Sequence, residues 1–133
     1  MKNTKDIIIT LVHGTFAQKN KWAKNNSIFC ESINKHTNRR IEFRTFKWSG
    51  DNKHVARIEE AKMFCKYIEE LDLSKSVHYV IAHSHGGNLV NYAEKFCPEI
   101  EHKIKGKIFL ATPHFKVEKR DLKKSEFLFD WMG

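Results

Sequence analysis

The sequence predicts an α/β fold, a mainly parallel sheet of about four strands flanked by helices in three layers. Two observations carry this. Short apolar runs alternate along the chain with longer stretches of helical periodicity, the pattern of strands joined by crossover helices. Three of the four runs are also nearly continuous in apolar residues, as strands covered on both faces must be. At 133 residues, with no internal repeat and no Gly/Ser/Pro linker, the chain suits one domain spanning 1–133.

The elements follow in order. Ile7-Ile8-Ile9-Thr10-Leu11-Val12 reads as the first strand, buried on both faces. Trp22, Phe29, Cys30 and Ile33 share one face of a helix near 24–37. Ile41 to Trp48 mixes polar and apolar residues, which suits an edge strand. Val55, Ile58, Ala61, Cys65, Ile68 and Leu71 mark one face of a helix near 53–72. Val77 to Ala82 is a third strand. Leu89, Tyr92, Ala93, Phe96 and Cys97 line a third helix, which Pro98 closes. Lys107 to Ala111 is a fourth strand, and Asp121 to Met132 a last helical segment ending in Phe127, Leu128, Phe129, Trp131 and Met132. The expected spatial order is 2-1-3-4 by chain appearance, and right-handed crossovers put the functional loops at the carboxyl ends of the strands.

Composition narrows the classes. Of the residues, 41% are hydrophobic, and no apolar run approaches the roughly 20 residues of a membrane helix. The N-terminus carries no signal-peptide pattern, so the expected compartment is the cytoplasm. The formal net charge is +8, but the lysines are dispersed along the chain, which suits a solvated surface. Nucleic acid is therefore not the expected partner. Cys30, Cys65 and Cys97 fall at apolar helix positions and read as buried reduced thiols. No His, Cys, Asp and Glu set has metal-ligand spacing, so neither metal nor cofactor is expected.

The chemistry concentrates in Ala82-His83-Ser84-His85-Gly86-Gly87, between the third strand and the third helix. A serine in a small-x-Ser-x-Gly turn at such a junction is a nucleophile elbow, whose tightness requires small residues two before and two after the serine. Two further turns sit at the same sheet edge: Val12-His13-Gly14-Thr15-Phe16 after the first strand, and Ala111-Thr112-Pro113-His114 after the fourth.

The elbow, the His-Gly turn and the Ala-Thr-Pro turn together resemble α/β-hydrolases of the lipase and esterase type, over residues ~6–115. Phe46-Lys47-Trp48-Ser49-Gly50-Asp51-Asn52, with Arg57 downstream, is similar to a segment of bacterial members of that group. The resemblance implies Ser84 as nucleophile and the backbone N–H groups of His85 and Thr15 as oxyanion donors, with Phe16 a substitute for Thr15. Loss of one such donor typically costs ~3 kcal/mol of transition-state stabilisation. Gly14 would let its loop approach the oxyanion. His13, Phe16 and Trp48 are candidates for the substrate pocket. His13 also reads as a buried turn residue, Trp48 as core packing and His85 as the pocket mouth. The implied reaction is carboxylic ester hydrolysis through an acyl-Ser84 intermediate, on a small-molecule or lipid ester.

The family order is Ser, then Asp or Glu, then His. No strand-like segment lies beyond residue 116 and no histidine beyond His114. The expectation is therefore a chain truncated before the usual acid and base. His114 is the candidate substitute base, and Asp121 and Asp130 leave the acid unassigned. The competing expectation is a catalytically silent remnant acting as a binding or assembly module. Truncation would leave the Lys107–Ala111 strand as an apolar edge, open to a homodimer partner or a missing C-terminal piece.

Overall fold

The computed structural model describes residues 5–15 and 21–113. Its four strands are β1 (Asp6–Val12), β2 (Ile41–Phe46), β3 (Ser76–His83) and β4 (Gly106–Leu110). They form one all-parallel sheet in the order β2-β1-β3-β4, the predicted order. The helices are α1 (Ile28–Asn34), α2 (His54–Glu69) and α3 (His85–Phe96). Short 3₁₀ turns cover Lys21–Ala23 and Pro98–Lys103. The predicted Asp121–Met132 segment lies outside the described residues.

Two cores, one on each face of the sheet, make the three layers. Val12, Phe46, Val80 and Ala82 pack against Phe64 and Ile68 of α2 and Leu89, Val90 and Ala93 of α3. Ile9, Leu11, Phe43 and Ile81 pack against Ala23 and Cys30, with Phe29 and Ile33 partly buried beside them. Right-handed crossovers explain the division: only the β1-to-β2 connection runs in the opposite direction across the sheet. In β1 and β3 the apolar residues point alternately into both cores, hence the unbroken apolar runs.

Several details differ from the sequence expectations. The first helix is shorter, starting where Ser27 caps it by accepting from the Cys30 N–H at 3.2 Å. Trp22 precedes it, on a 3₁₀ turn, and packs edge-on against Phe29. In α2 the buried stripe is Ala61, Phe64, Cys65 and Ile68, whereas Val55 on the first turn is exposed. Phe96 is exposed as well, because Ile100 from the next turn fills the core at the end of α3. Cys97 is only partly buried, while burial pushes the Cys65 thiol up to about 12, an unreactive packing thiol. β4, by contrast, is the apolar sheet edge that was expected, with Ile108 and Leu110 exposed. Among the described residues no helix is long and apolar enough to cross a membrane.

One buried polar chain crosses the sheet. His78 and Tyr67 both reach Thr10 Oγ1, at 2.7 and 2.9 Å. The Lys103 carbonyl can only accept, so His78 Nδ1 donates to it at 3.0 Å. His78 Nε2 then accepts from Thr10, whose oxygen accepts from the Tyr67 hydroxyl. Burial holds the His78 imidazole neutral, with a pKa lowered to about 4.

Candidate functional site

The site begins with one residue in an unusual conformation. Ser84 occupies the position before the first residue of α3, where serine ordinarily caps a helix by accepting from its N–H groups. Here φ is 52° and ψ is −131°, and the side chain makes no capping bond. The backbone turn swings the hydroxyl away from the helix N–H groups. A non-glycine residue at positive φ is costly and persists only where its surroundings over-determine it.

Those surroundings are visible on three sides. The Ser84 N–H donates to the Leu110 carbonyl at 2.8 Å, which ties the elbow to the end of β4. The Ser84 carbonyl accepts from the Thr112 hydroxyl at 2.9 Å and from the Gly87 N–H at 3.0 Å. Ala111, the other non-glycine residue at positive φ among those described, turns the chain between Leu110 and Thr112. On the β1 side, a Cβ on Gly86 would lie 2.5 Å from the His13 carbonyl oxygen and 2.7 Å from that of Val12. Ala82, two residues before the serine, is fully buried. The small residues of the motif are thus demanded by contact, as the sequence reading anticipated.

The His13-Gly14 turn lies against the serine itself. A Cβ on Gly14 would sit 3.0 Å from Ser84 Cβ and 3.2 Å from the His83 carbonyl oxygen. Glycine is what allows the Thr15 segment this close to Ser84. His85 opens α3, so its N–H belongs to the first turn, whose donors have no carbonyl partner inside the helix.

The histidines divide by role. His13 is buried and stacked on Trp48, with ring centroids 5.4 Å apart. Its Nδ1 donates to the Gly14 carbonyl at 2.9 Å and its Nε2 faces the Trp48 N–H at 3.4 Å. Both nitrogens are therefore spent within the loop. The Trp48 indole N–H donates to the His13 carbonyl at 2.8 Å. Trp48 is thus a buttress of the turn, and its burial fits the core-packing expectation. Asn88 donates to His85 Nδ1 at 3.0 Å, and burial, then the charge of Arg57, holds the His85 pKa below the usual imidazole range. His83 meets Trp22 edge-on at 6.0 Å.

A cleft of about 1040 Å³ opens beside β2, with His13, Trp48, Thr45, Lys47 and Glu60 in its wall, and does not include Ser84. It joins two of the three substrate-pocket candidates. Phe16 and His114 lie outside the described residues. Among the described residues no imidazole or carboxylate hydrogen-bonds Ser84 Oγ. Far from the elbow, Glu69, Cys97 and Glu99 each bring one ligand atom within 4.8 Å of the others. Two of the three are exposed carboxylates, a set that assigns no metal on its own.

Sequence reasoning gave no role to Thr112 or Arg57. Thr112 reads locally as a turn residue, and its bond to Ser84 exists only because β4 pairs with β3. No protein-family model matches this chain, and no curated protein does.

Proposed function

We propose that this protein is a serine hydrolase of the α/β-hydrolase type, cleaving a carboxylic ester through an acyl-Ser84 intermediate. The observation that carries the reading is the Ser84 conformation. A serine at a helix-capping position, held at φ 52° by both neighbouring turns and making no cap, is a hydroxyl withheld from structure. Strain of this kind gathers where chemistry is done.

In this reading Ser84 Oγ attacks the ester carbonyl. The oxyanion is met by the N–H groups of His85 and Thr15, fixed donors that need no rearrangement as charge develops. The base takes the Ser84 proton and returns it to the leaving alkoxide, and water then releases the acid. His114 is the proposed base. It stands two residues beyond Thr112, whose hydroxyl is already bonded to the Ser84 carbonyl.

Labelling with a fluorophosphonate probe tests the proposal. Wild type labels and Ser84→Ala does not, and His114→Ala labels at least a hundredfold more slowly. A folded wild type that does not label overturns it. That result would favour the silent binding module, a reading supported by the absence of any described imidazole or carboxylate on Ser84 Oγ.

A further inference from the structure

A parallel strand with a neighbour on one side only leaves the backbone groups of every second residue unpaired. Among the described residues β2 is such a strand, pairing with β1 alone. The Ile7 N–H donates to the Arg40 carbonyl at 2.9 Å, and that bond fixes the parity of the ladder. Glu42, Arg44 and Phe46 turn their N–H and C=O groups toward β1, and Ile41, Phe43 and Thr45 turn theirs outward.

The outward edge does not lie flush with the surface. The cleft of about 1040 Å³ runs along it, with Phe43, Arg44 and Thr45 in its lining. One wall is the segment before α1, Ala23 to Asn26, and the other is Glu60 and Met63 of α2. The sheet edge is thus the floor, and the two helical layers are the walls. This is the slot of a fifth strand.

The two walls differ in chemistry. Phe43 packs in the α1-side core and Thr45 bonds the Ala23 carbonyl, so that side of β2 faces the Ala23-to-Asn26 wall. Phe46 packs in the α2-side core, and Arg44 shares its side. The first wall carries exposed Lys24, and exposed Lys47 stands just past the end of β2. Neither lysine makes an ion pair among the described residues. The second wall offers Met63, an exposed apolar side chain. Its carboxylate, Glu60, already accepts from the Ser49 N–H at 3.1 Å, and Glu42 already meets Arg44 at 3.1 Å.

An added strand sends alternate side chains to opposite walls. Acidic residues on one side would meet Lys24 and Lys47, and apolar residues on the other would cover Met63. A second copy fits poorly. Two-fold pairing of β2 with itself would bring Arg44 and Lys47 against their own kind, in a chain of net charge +8.

We propose that the β2 cleft docks an extended segment of a partner protein, with acidic and apolar residues in alternation, as a fifth strand of the sheet. The cleft does not include Ser84, so the proposal stands apart from the hydrolase reading.

The experiment uses the full chain and fluorescent peptides of alternating Glu and Val or alternating Lys and Val, followed by anisotropy at low salt. The Glu-Val peptide is expected to bind at least tenfold more tightly than the Lys-Val peptide. Lys24→Glu combined with Lys47→Glu, both at exposed positions, should abolish that preference, with circular dichroism confirming the fold. N-methylation of alternate peptide amides, in the register that faces β2, should abolish binding. Hydrogen exchange should slow at the Ile41, Phe43 and Thr45 amides and stay unchanged at Glu42 and Arg44. No binding of the Glu-Val peptide, equal affinity for the two peptides, a preference that survives the double variant, or binding indifferent to N-methylation would overturn the proposal. So would slow exchange at Phe43 and Thr45 without peptide, which would give the slot to this chain itself, with sedimentation telling a second copy from a segment of the same chain.

Discussion

The Thr112 hydroxyl donates to the Ser84 carbonyl at 2.9 Å, joining the turn after β4 to the strained residue after β3. The same turn supplies the Leu110 carbonyl to the Ser84 N–H. Both polar backbone atoms of Ser84 are thus held by one neighbouring strand end. Thr112→Val keeps the shape of the side chain and removes the donor. It is expected to lower stability by about 1 kcal/mol, a typical net hydrogen bond. It is also expected to slow fluorophosphonate labelling of Ser84, because the elbow loses one of its restraints. Urea midpoints and labelling rates measured together check this. A loss of stability with an unchanged labelling rate would show that Gly87 and Leu110 alone hold the elbow.

The two glycines of the motif are required for different reasons. A methyl on Gly86 would run into two backbone carbonyls of the β1 turn, at 2.5 and 2.7 Å. A methyl on Gly87 would run into the Thr112 side chain, 2.1 Å from its Oγ1. Backbone in a packed sheet cannot retreat, whereas a side chain can be shortened. Gly86→Ala is therefore expected to cost over about 3 kcal/mol, in the upper range for single substitutions. Adding Thr112→Ala should recover part of the loss in Gly87→Ala and none of that in Gly86→Ala. Chemical denaturation of these four variants and of Thr112→Ala alone measures the coupling.

Much of the fold was legible in the sequence because it is written locally. The apolar runs of β1 and β3 and the polar admixture of β2 report how many faces each strand buries. Handed crossovers then divide the helices, α1 on one face of the β2-β1-β3-β4 sheet and α2 and α3 on the other. The motif around Ser84 was legible for the same reason, since its small residues are adjacent in the chain. What was illegible depends on contacts across the sheet. Thr112 is 28 residues from Ser84, and the Ala-Thr-Pro turn that marks it in the sequence says nothing of a bond to the Ser84 carbonyl. Phe96 fits the apolar stripe of α3, yet Ile100, from the turn that follows, takes the core position. Arg57 stands out in the sequence only as a companion of the Phe46–Asn52 segment, whereas its buried Nε shows only in the fold.

Acid should destabilise the fold through His78. The imidazole is neutral in the fold, with a pKa lowered to about 4 by burial, against about 6.5 in an unfolded chain. Between those values the unfolded state binds the extra proton, so stability rises with pH. The contribution is whole above about pH 6.5 and is lost as pH falls toward 4, with about 2 kcal/mol gone between pH 7 and pH 5. His78→Gln does not titrate and should show a shallower fall over that interval, though from a lower starting point, since the bonds to Thr10 and Lys103 change. Parallel slopes for the two proteins would mean that other groups govern the acid limb.

The strain at Ser84 can itself be measured. Backbone held at φ 52° is disfavoured for any residue with a Cβ and tolerated by glycine. Ser84→Ala keeps the Cβ, and with it the strain, while deleting the hydroxyl. Ser84→Gly deletes both. If the surroundings impose the conformation, Ser84→Gly should be more stable than Ser84→Ala by about 1 kcal/mol, after the entropy that glycine adds to the unfolded chain is counted against it. Both variants should fail to label. A glycine variant no more stable than the alanine variant would mean that the elbow is relaxed in solution. That outcome would remove the main structural support for reading Ser84 as a nucleophile, since a serine free to adopt ordinary dihedrals would return to capping α3.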